Sequence, residues 1–488
     1  MNYKLSLIAL VLAAYGVVCN AAVYDVRDFG AKGDGQHIDS DAINEAIQRA
    51  ADDGGGTVVV SQGVFLCYSI HLRSNITLKI EEGAIIKAAP VTTERHYDES
   101  EDNDFTQYQD FGHSHWHNSL IWGEDISNIT IEGKGMIDGE GVLTRGGGSR
   151  QRHSNGTANK ALAMKCCKDV TIRDISLHAC GHFAMLLTGV DNLLIEDVTA
   201  DTNRDGFDID CCEKVVIRNC RVNTVNDDAI VLKASYALGY AKPTSNVLIE
   251  NCHVSGYDVG TLLDGTCQKT TTKAPDGDGP TGRIKIGTES NGGFSNITIR
   301  RCTFNHCRGL ALETVDGAYM KNINVSDIRM DDICNSPIYI RLGDRMRAPK
   351  GFHASMIRNI NLRNIYVTNA DSRYASIIAG IKGNPIKKVR ITDVYIQYRG
   401  GITLDDVEQQ RGSNPFFFGK GGGAAAINRH EGTGGYPEPS AHGIQPAWGF
   451  SITNAEDITL KNVKLETITP DERPMFYIEN TKGFQSKK

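Results

Sequence analysis

The chain has 488 residues, 51 of them glycine, with 7% aromatic residues and a formal net charge of −7. That length exceeds an ordinary single hydrophobic core unless the core extends along one axis as a solenoid. The acidic balance gives no support to nucleic-acid binding, although an acidic whole can still hold a basic pocket for an anionic substrate.

Residues 1–21, MNYKLSLIALVLAAYGVVCNA, combine one lysine, an apolar run from Leu5 to Val18 and a small residue at the end. This is the pattern of a signal peptide cleaved near Ala21, and it predicts a secreted or periplasmic protein. No later apolar run reaches the roughly 20 residues that cross a bilayer, so no membrane insertion is expected. Residues 22–488 are read as a single domain with an inserted loop around 412–448. Its first element is a short capping helix: Asp39 or Ser40 can start it, and Ile43, Ala46, Ile47 and Ala50 fall on one face.

From residue 74 onward one short pattern returns: a polar residue, alternating β-branched residues, then Asn or Asp. It reads SNITLKI at 74, SNITIEG at 127, DVTIRDI at 169, NLLIEDV at 192 and KVVIRNC at 214. It continues through NVLIENC at 246, NITIRRC at 296, NINVSDI at 322, NINLRNI at 359, KVRITDV at 388 and DITLKNV at 457. Alternation marks strands with one buried face, and return at intervals of 23 and 22 residues between 169, 192 and 214 marks a solenoid. The predicted fold is all-β, a single-stranded right-handed parallel β-helix, with the recurring Asn at tight corners. Cys220, Cys252 and Cys302 close matching segments and read as stacked core thiols, although an oxidising compartment would let the twelve cysteines beyond the signal pair.

The stretch NRDGFDIDCCEKVVIRNCRVNTVNDDAIVLK, residues 203–233, places acids where strand is expected. Asp205 and Asp227 are 22 residues apart, one coil, and are expected to stack. Alternation sends Ile230 and Leu232 into the core and Asp227, Ala229, Val231 and Lys233 outward. Asp228 would point inward unless the strand begins or bulges there. Repulsion between stacked carboxylates should raise at least one pKa, and a protonated acid beside an ionised one is what glycosidic cleavage requires. A structural polar ladder or a calcium site is the alternative reading of such acids.

These motifs resemble glycoside hydrolase family 28, the polygalacturonases and rhamnogalacturonan hydrolases, over nearly the whole chain after residue 21. The family's N-T-D motif appears as Asn203-Arg204-Asp205 and its paired aspartates as Asn226-Asp227-Asp228. The resemblance implies that Asp227 is the general acid and that Asp205 with Asp228 positions and deprotonates the attacking water. It implies inversion at the anomeric carbon, a pectic polysaccharide or oligosaccharide substrate, and neither metal nor organic cofactor. A monomer is expected.

The family's Gly-His-Gly coil aligns with TGRIKIG, which puts Gly282 at the histidine and sends Arg283 and Lys285 outward on the columns of Ala229 and Val231. The following coil, CRGLALETVDG, has Ala311 and Glu313 where the family has Arg and Lys. A second threading makes YDVGTLLDG the histidine coil but leaves one strand repeat missing. The predicted substrate-binding set is Asn203, Lys233, Arg283, Lys285, Glu313, His182 and Trp116, with the Arg283 fork gripping a uronate carboxylate. Trp116, in HSHWHNSLIWG, would stack on a sugar ring. Loops at Asp98–Trp122, Gly146–Asn159 and Gly412–Trp448 would wall one end of the cleft and favour exo-action. The rivals are a calcium-dependent pectate lyase of the same fold and a non-catalytic carbohydrate-binding β-helix.

Overall fold

The computed structural model describes residues 22–108, 112–144, 156–353, 356–414 and 436–487. The expected signal peptide, most of the loop Gly146–Asn159 and residues 415–435 of the insertion lie outside them.

Strands from Val23–Asp25 to Gln485–Lys487 join one continuous sheet in which successive coils pair in parallel. The coil is a right-handed parallel β-helix, the hand that parallel crossovers take almost without exception. Three faces run along it. One carries Phe183–Thr188, Asp205–Asp210, Ile230–Lys233, Ile284–Ile286 and Leu310–Thr314. The second carries the repeats found in the sequence, and the third follows them round the next corner. Inward positions form one unbroken apolar core, from Val58, Leu78 and Ile131 through Ile195, Ile217 and Ile249 to Ile391 and Leu460. The thiols of Cys220, Cys252 and Cys302 are free and lie in that core.

Corner geometry explains the recurring Asn. Asn75, Asn128, Asn192, Asn246, Asn296, Asn322 and Asn359 all adopt positive φ, which Asn tolerates better than most residues. Their amides also link coils: Asn128 donates to Asn75 at 3.0 Å, Asn296 to Asn246 at 3.1 Å and Asn359 to Asn322 at 3.2 Å. The helix Ser40–Asp52 buries Ile43, Ala46, Ile47 and Ala50 against the first coils, as the pattern predicts. Asp39 precedes it but gives its carboxylate to the backbone N–H of Lys32 and Gly33 rather than to the helix.

Two register details set the site. Leu193 pairs with Val215, but Phe207 pairs with Ile230, so the second step is one residue longer. Asp205 is therefore level with Asp228 and not, as the 22-residue spacing predicts, with Asp227; the extra residue lies in the bend Val225–Asp227. The strand starts only at Ile230, which frees Asp228 from strict alternation. Next, Ile230 pairs directly with Ile284 and Val231 with Lys285. That is the first threading; among the described residues no strand lies between Ser255 and Ile284.

Candidate active site

Asp205 opens the strand Asp205–Asp210, Asp228 stands just before Ile230–Lys233, and Arg283 just before Ile284–Ile286. Strand entries on three successive coils thus bring an acid, an acid pair and a guanidinium together at one corner. A cleft of about 320 Å³ opens over them, lined by Asp205, Asp227, Asp228, Lys233, Arg283, Lys285 and His182 of the expected set.

The three carboxylates have different surroundings. Asp205 is buried, with His182 Nε2 at 3.3 Å; burial pushes its pKa up to about 6, with Asp208 adding to the rise against the pull of Lys233. Asp227 is partly exposed and pairs with the Arg204 guanidinium. Desolvation and then the Asp205 charge raise its pKa in spite of Arg204. One oxygen of Asp205 and one of Asp227 lie within 4.8 Å of each other and of a His182 nitrogen. Asp228 goes the other way. Burial would raise it, but Lys285 at 3.3 Å and Arg283, donating from Nε at 2.8 Å, hold it down at about 2. The cleft thus holds a close pair that retains a proton into the weakly acidic range beside a carboxylate ionised throughout it.

The cations are not placed as expected. Arg283 offers no fork to a ligand, because its two terminal nitrogens already donate to both oxygens of Glu438, at 3.0 and 2.8 Å. Lys285 is 1% exposed, between Asp228, Glu313 at 3.7 Å and the Tyr436 hydroxyl at 3.1 Å. Both side chains brace Asp228 from below. Glu313 is fully buried outside the cleft lining; its pKa rises to about 7, through burial, against the pull of Lys285 and Arg283. It is a support for Lys285, not a substrate contact. Lys233 lines the cleft but is held by Asp208 at 2.7 Å and Glu289 at 3.6 Å, with His113 beside it.

Trp116 corrects a further expectation. It is 1% exposed, packed with Ala163, Phe183, Leu186 and Ala237, and its indole N–H donates to Thr188, so no sugar reaches its face. His113, from the same segment, enters the cleft and contacts Asp208 at 3.1 Å. His117 turns away to Glu124 at 2.8 Å and stacks on Trp122. Asn203 is exposed at the rim and accepts from Asn226.

Sequence reasoning missed Tyr436 and Glu438, which close the cleft from the far side of the insertion, together with Arg308 and Asp276. Glu438 also accepts from Arg308 at 2.8 Å and from Asn335 at 3.3 Å. Its sequence context, GGYPEPSAHG, carries no repeat signal; the Gly-rich interruption was the only sign that this segment reaches the site.

Residues 100–257, which contain all three aspartates, match the family model described as glycosyl hydrolases family 28. A "Probable polygalacturonase" of Vitis vinifera is 24% identical over 408 residues, 78% of this chain and 75% of that protein. An exopolygalacturonase of Zea mays is 22% identical, over 77% of this chain and 84% of its own length. Among solved structures, the hyperthermoactive exopolygalacturonase of Thermotoga maritima superposes with a TM-score of 0.59 at 22% identity, over 77% of this chain and 87% of that one. The family 28 exopolygalacturonase of Yersinia enterocolitica gives 0.63 at 15% identity, over 95% and 78%. The family match falls on the segment that supplies the acids of this cleft, so the chain is similar to the glycosyl hydrolases of family 28 and, at low identity, to polygalacturonases.

Proposed function

We propose that this protein hydrolyses α-galacturonosyl linkages of pectic polysaccharide, acting outside the cytoplasm. The observation that carries the reading is the grouping of Asp205 and Asp227, with oxygens within 4.8 Å of each other, beside an Asp228 clamped by Arg283 and Lys285. Asp227, facing the open cleft, protonates the leaving oxygen, and Arg204 stabilises the carboxylate it becomes. Asp205, with its raised basicity, takes the proton of the attacking water, and Asp228, clamped by Arg283 and Lys285, orients that water. The names of the relatives and the Tyr436–Glu438 segment that walls the cleft support exo-action.

The stereochemical course follows from the family rather than from spacing. Oxygens within 4.8 Å are closer than the roughly 6.5–9.5 Å usual for an inverting pair. Inversion is expected, read as the anomer first released in an NMR time course; initial release of the other anomer would overturn the direct attack by water.

The test of function is product analysis on polygalacturonate and on rhamnogalacturonan oligosaccharides, with and without a chelator. Saturated galacturonate whose release the chelator leaves unchanged is the expected result. A calcium-dependent unsaturated product would make the protein a lyase, and sugar binding without turnover would make it a binding module.

The braced Asp228 yields a separate prediction. Lys285→Ala should raise the pKa of Asp228 from about 2, so that the acidic limb of kcat/KM moves up in pH and kcat falls more than KM rises. A rise in KM alone, specific to substrates with free carboxylates, would return Lys285 to the role of uronate contact.

A further inference from the structure

On the second face of the solenoid, one outward column alternates in sign coil by coil. Glu132, Arg173, Glu196, Arg218, Glu250 and Arg300 stand in register. They close ion pairs at 2.6 Å (Arg173–Glu132), 2.5 Å (Arg218–Glu196) and 2.7 Å (Arg300–Glu250). After Arg300 the acids stop. The column continues as Ser326, Arg363, Thr392 and Lys461, hydroxyl alternating with cation. Arg390 fills the cation gap on the intervening coil from the adjacent column, Asn324–Asn361–Arg390–Thr459. Arg363, Arg390 and Lys461 are exposed, and among the described residues none makes an ion pair. Asp327, the acid whose charge interacts with Arg363, already accepts from Asn364 and Ser326 at 2.7 and 2.8 Å.

Round the corner, the next column reads Arg329, Tyr366, Tyr395 and Lys464. The two tyrosines stack at 4.9 Å between ring centroids, and Tyr366 is 48% exposed. Both columns lie on faces other than the one that holds the cleft.

We propose that the hydroxyl–cation column of the last coils is a docking ladder for a linear polyuronate, laid along the solenoid axis outside the cleft. The first half of the column supplies its own carboxylates; in the second half they are left to the ligand. Coils are about 4.8 Å apart, so Arg363, Arg390 and Lys461 offer one cation per coil, while Thr392 offers a hydroxyl to a sugar chain and Ser326, whose proton goes to Asp327, an acceptor oxygen. A run of carboxylates on hydroxylated rings matches this in charge and in hydrogen bonding. The choice of a uronate chain rests on the proposed function; the ladder itself does not.

The test uses affinity electrophoresis through gels containing polygalacturonate, in the Asp227→Asn background so that the polymer survives, with hydrolysis of a trigalacturonate measured in the otherwise unmodified chain. The triple variant R363S/R390T/K461S should weaken retardation at least about tenfold, through loss of three charge-assisted contacts, and leave trisaccharide turnover and Tm unchanged. Fully methyl-esterified pectin should retard neither protein. Unchanged retardation of the triple variant would overturn the ladder, and so would a fall in Tm that accompanied the loss. Stronger ladder-dependent retention on duplex DNA than on polygalacturonate would overturn the choice of ligand. Ladder-dependent retention by a protein that cleaves no uronide would remove the proposed function and leave the docking ladder standing.

Discussion

Asp227→Asn is expected to lower kcat by about 10²–10⁴-fold, the range that a positioned general acid contributes. The amide keeps the shape and a hydrogen-bonding oxygen for Arg204 but has no proton to give. Two signatures separate this role from a structural one. A substrate with a good leaving group, such as a nitrophenyl galacturonide, needs little protonation and should lose far less than the natural polymer. The second is pH dependence. In the unmodified protein burial and the Asp205 charge raise the pKa of Asp227, and activity should fall on the alkaline side as Asp227 loses its proton. In the variant Asp205 still titrates, but as the base and not the acid, so the alkaline limb should disappear. An equal loss on both substrates with the limb intact would transfer the acid's role to Asp205.

The parts of this site that were legible in the sequence are those governed by the coil period. Alternation and the Asn corners specify a strand and its turn every coil, and Arg283 and Lys285 do stand on the columns of Ala229 and Val231. What failed was whatever depends on an irregular segment. One extra residue in the bend before Asp228 makes Asp228, and not Asp227, the level partner of Asp205. Trp116, on a loop without period, packs inward because a large apolar ring gains more from Ala163, Phe183 and Leu186 than from solvent. Outward on a solenoid strand also does not mean exposed: Arg283 and Lys285 face away from the core and are still covered by Tyr436 and Glu438, and Lys233 is buried beside His113, Asp208 and Glu289. Contacts made across some 150 residues by a non-repeating loop leave no trace in local spacing.

That segment supports the second large effect, Glu438→Ala. Glu438 is 1% exposed and is shared by two buried guanidinium groups, those of Arg283 and Arg308. Removing one partner of a buried ion pair leaves uncompensated charge and typically costs about 3–5 kcal/mol. A clearly lower Tm is expected, together with a loss of activity, because Arg283 is also the group that fixes Asp228. Arg308 keeps Asp276 at 2.6 Å, so the greater disturbance should fall on Arg283. The two effects can be parted by chemical rescue. Truncation to alanine leaves a gap that a small carboxylate fits, and millimolar formate or acetate should restore part of the activity by occupying the vacated fork, whereas chloride at equal ionic strength should not. Glu438→Gln keeps the shape without the charge and should resist rescue. Free galacturonate should inhibit Glu438→Ala more strongly than the unmodified protein, since the fork expected to hold a uronate would then be open. A Glu438→Ala variant with unchanged Tm and unchanged kcat would mean that Asp228 alone compensates Arg283, and that the segment after the insertion merely covers the cleft.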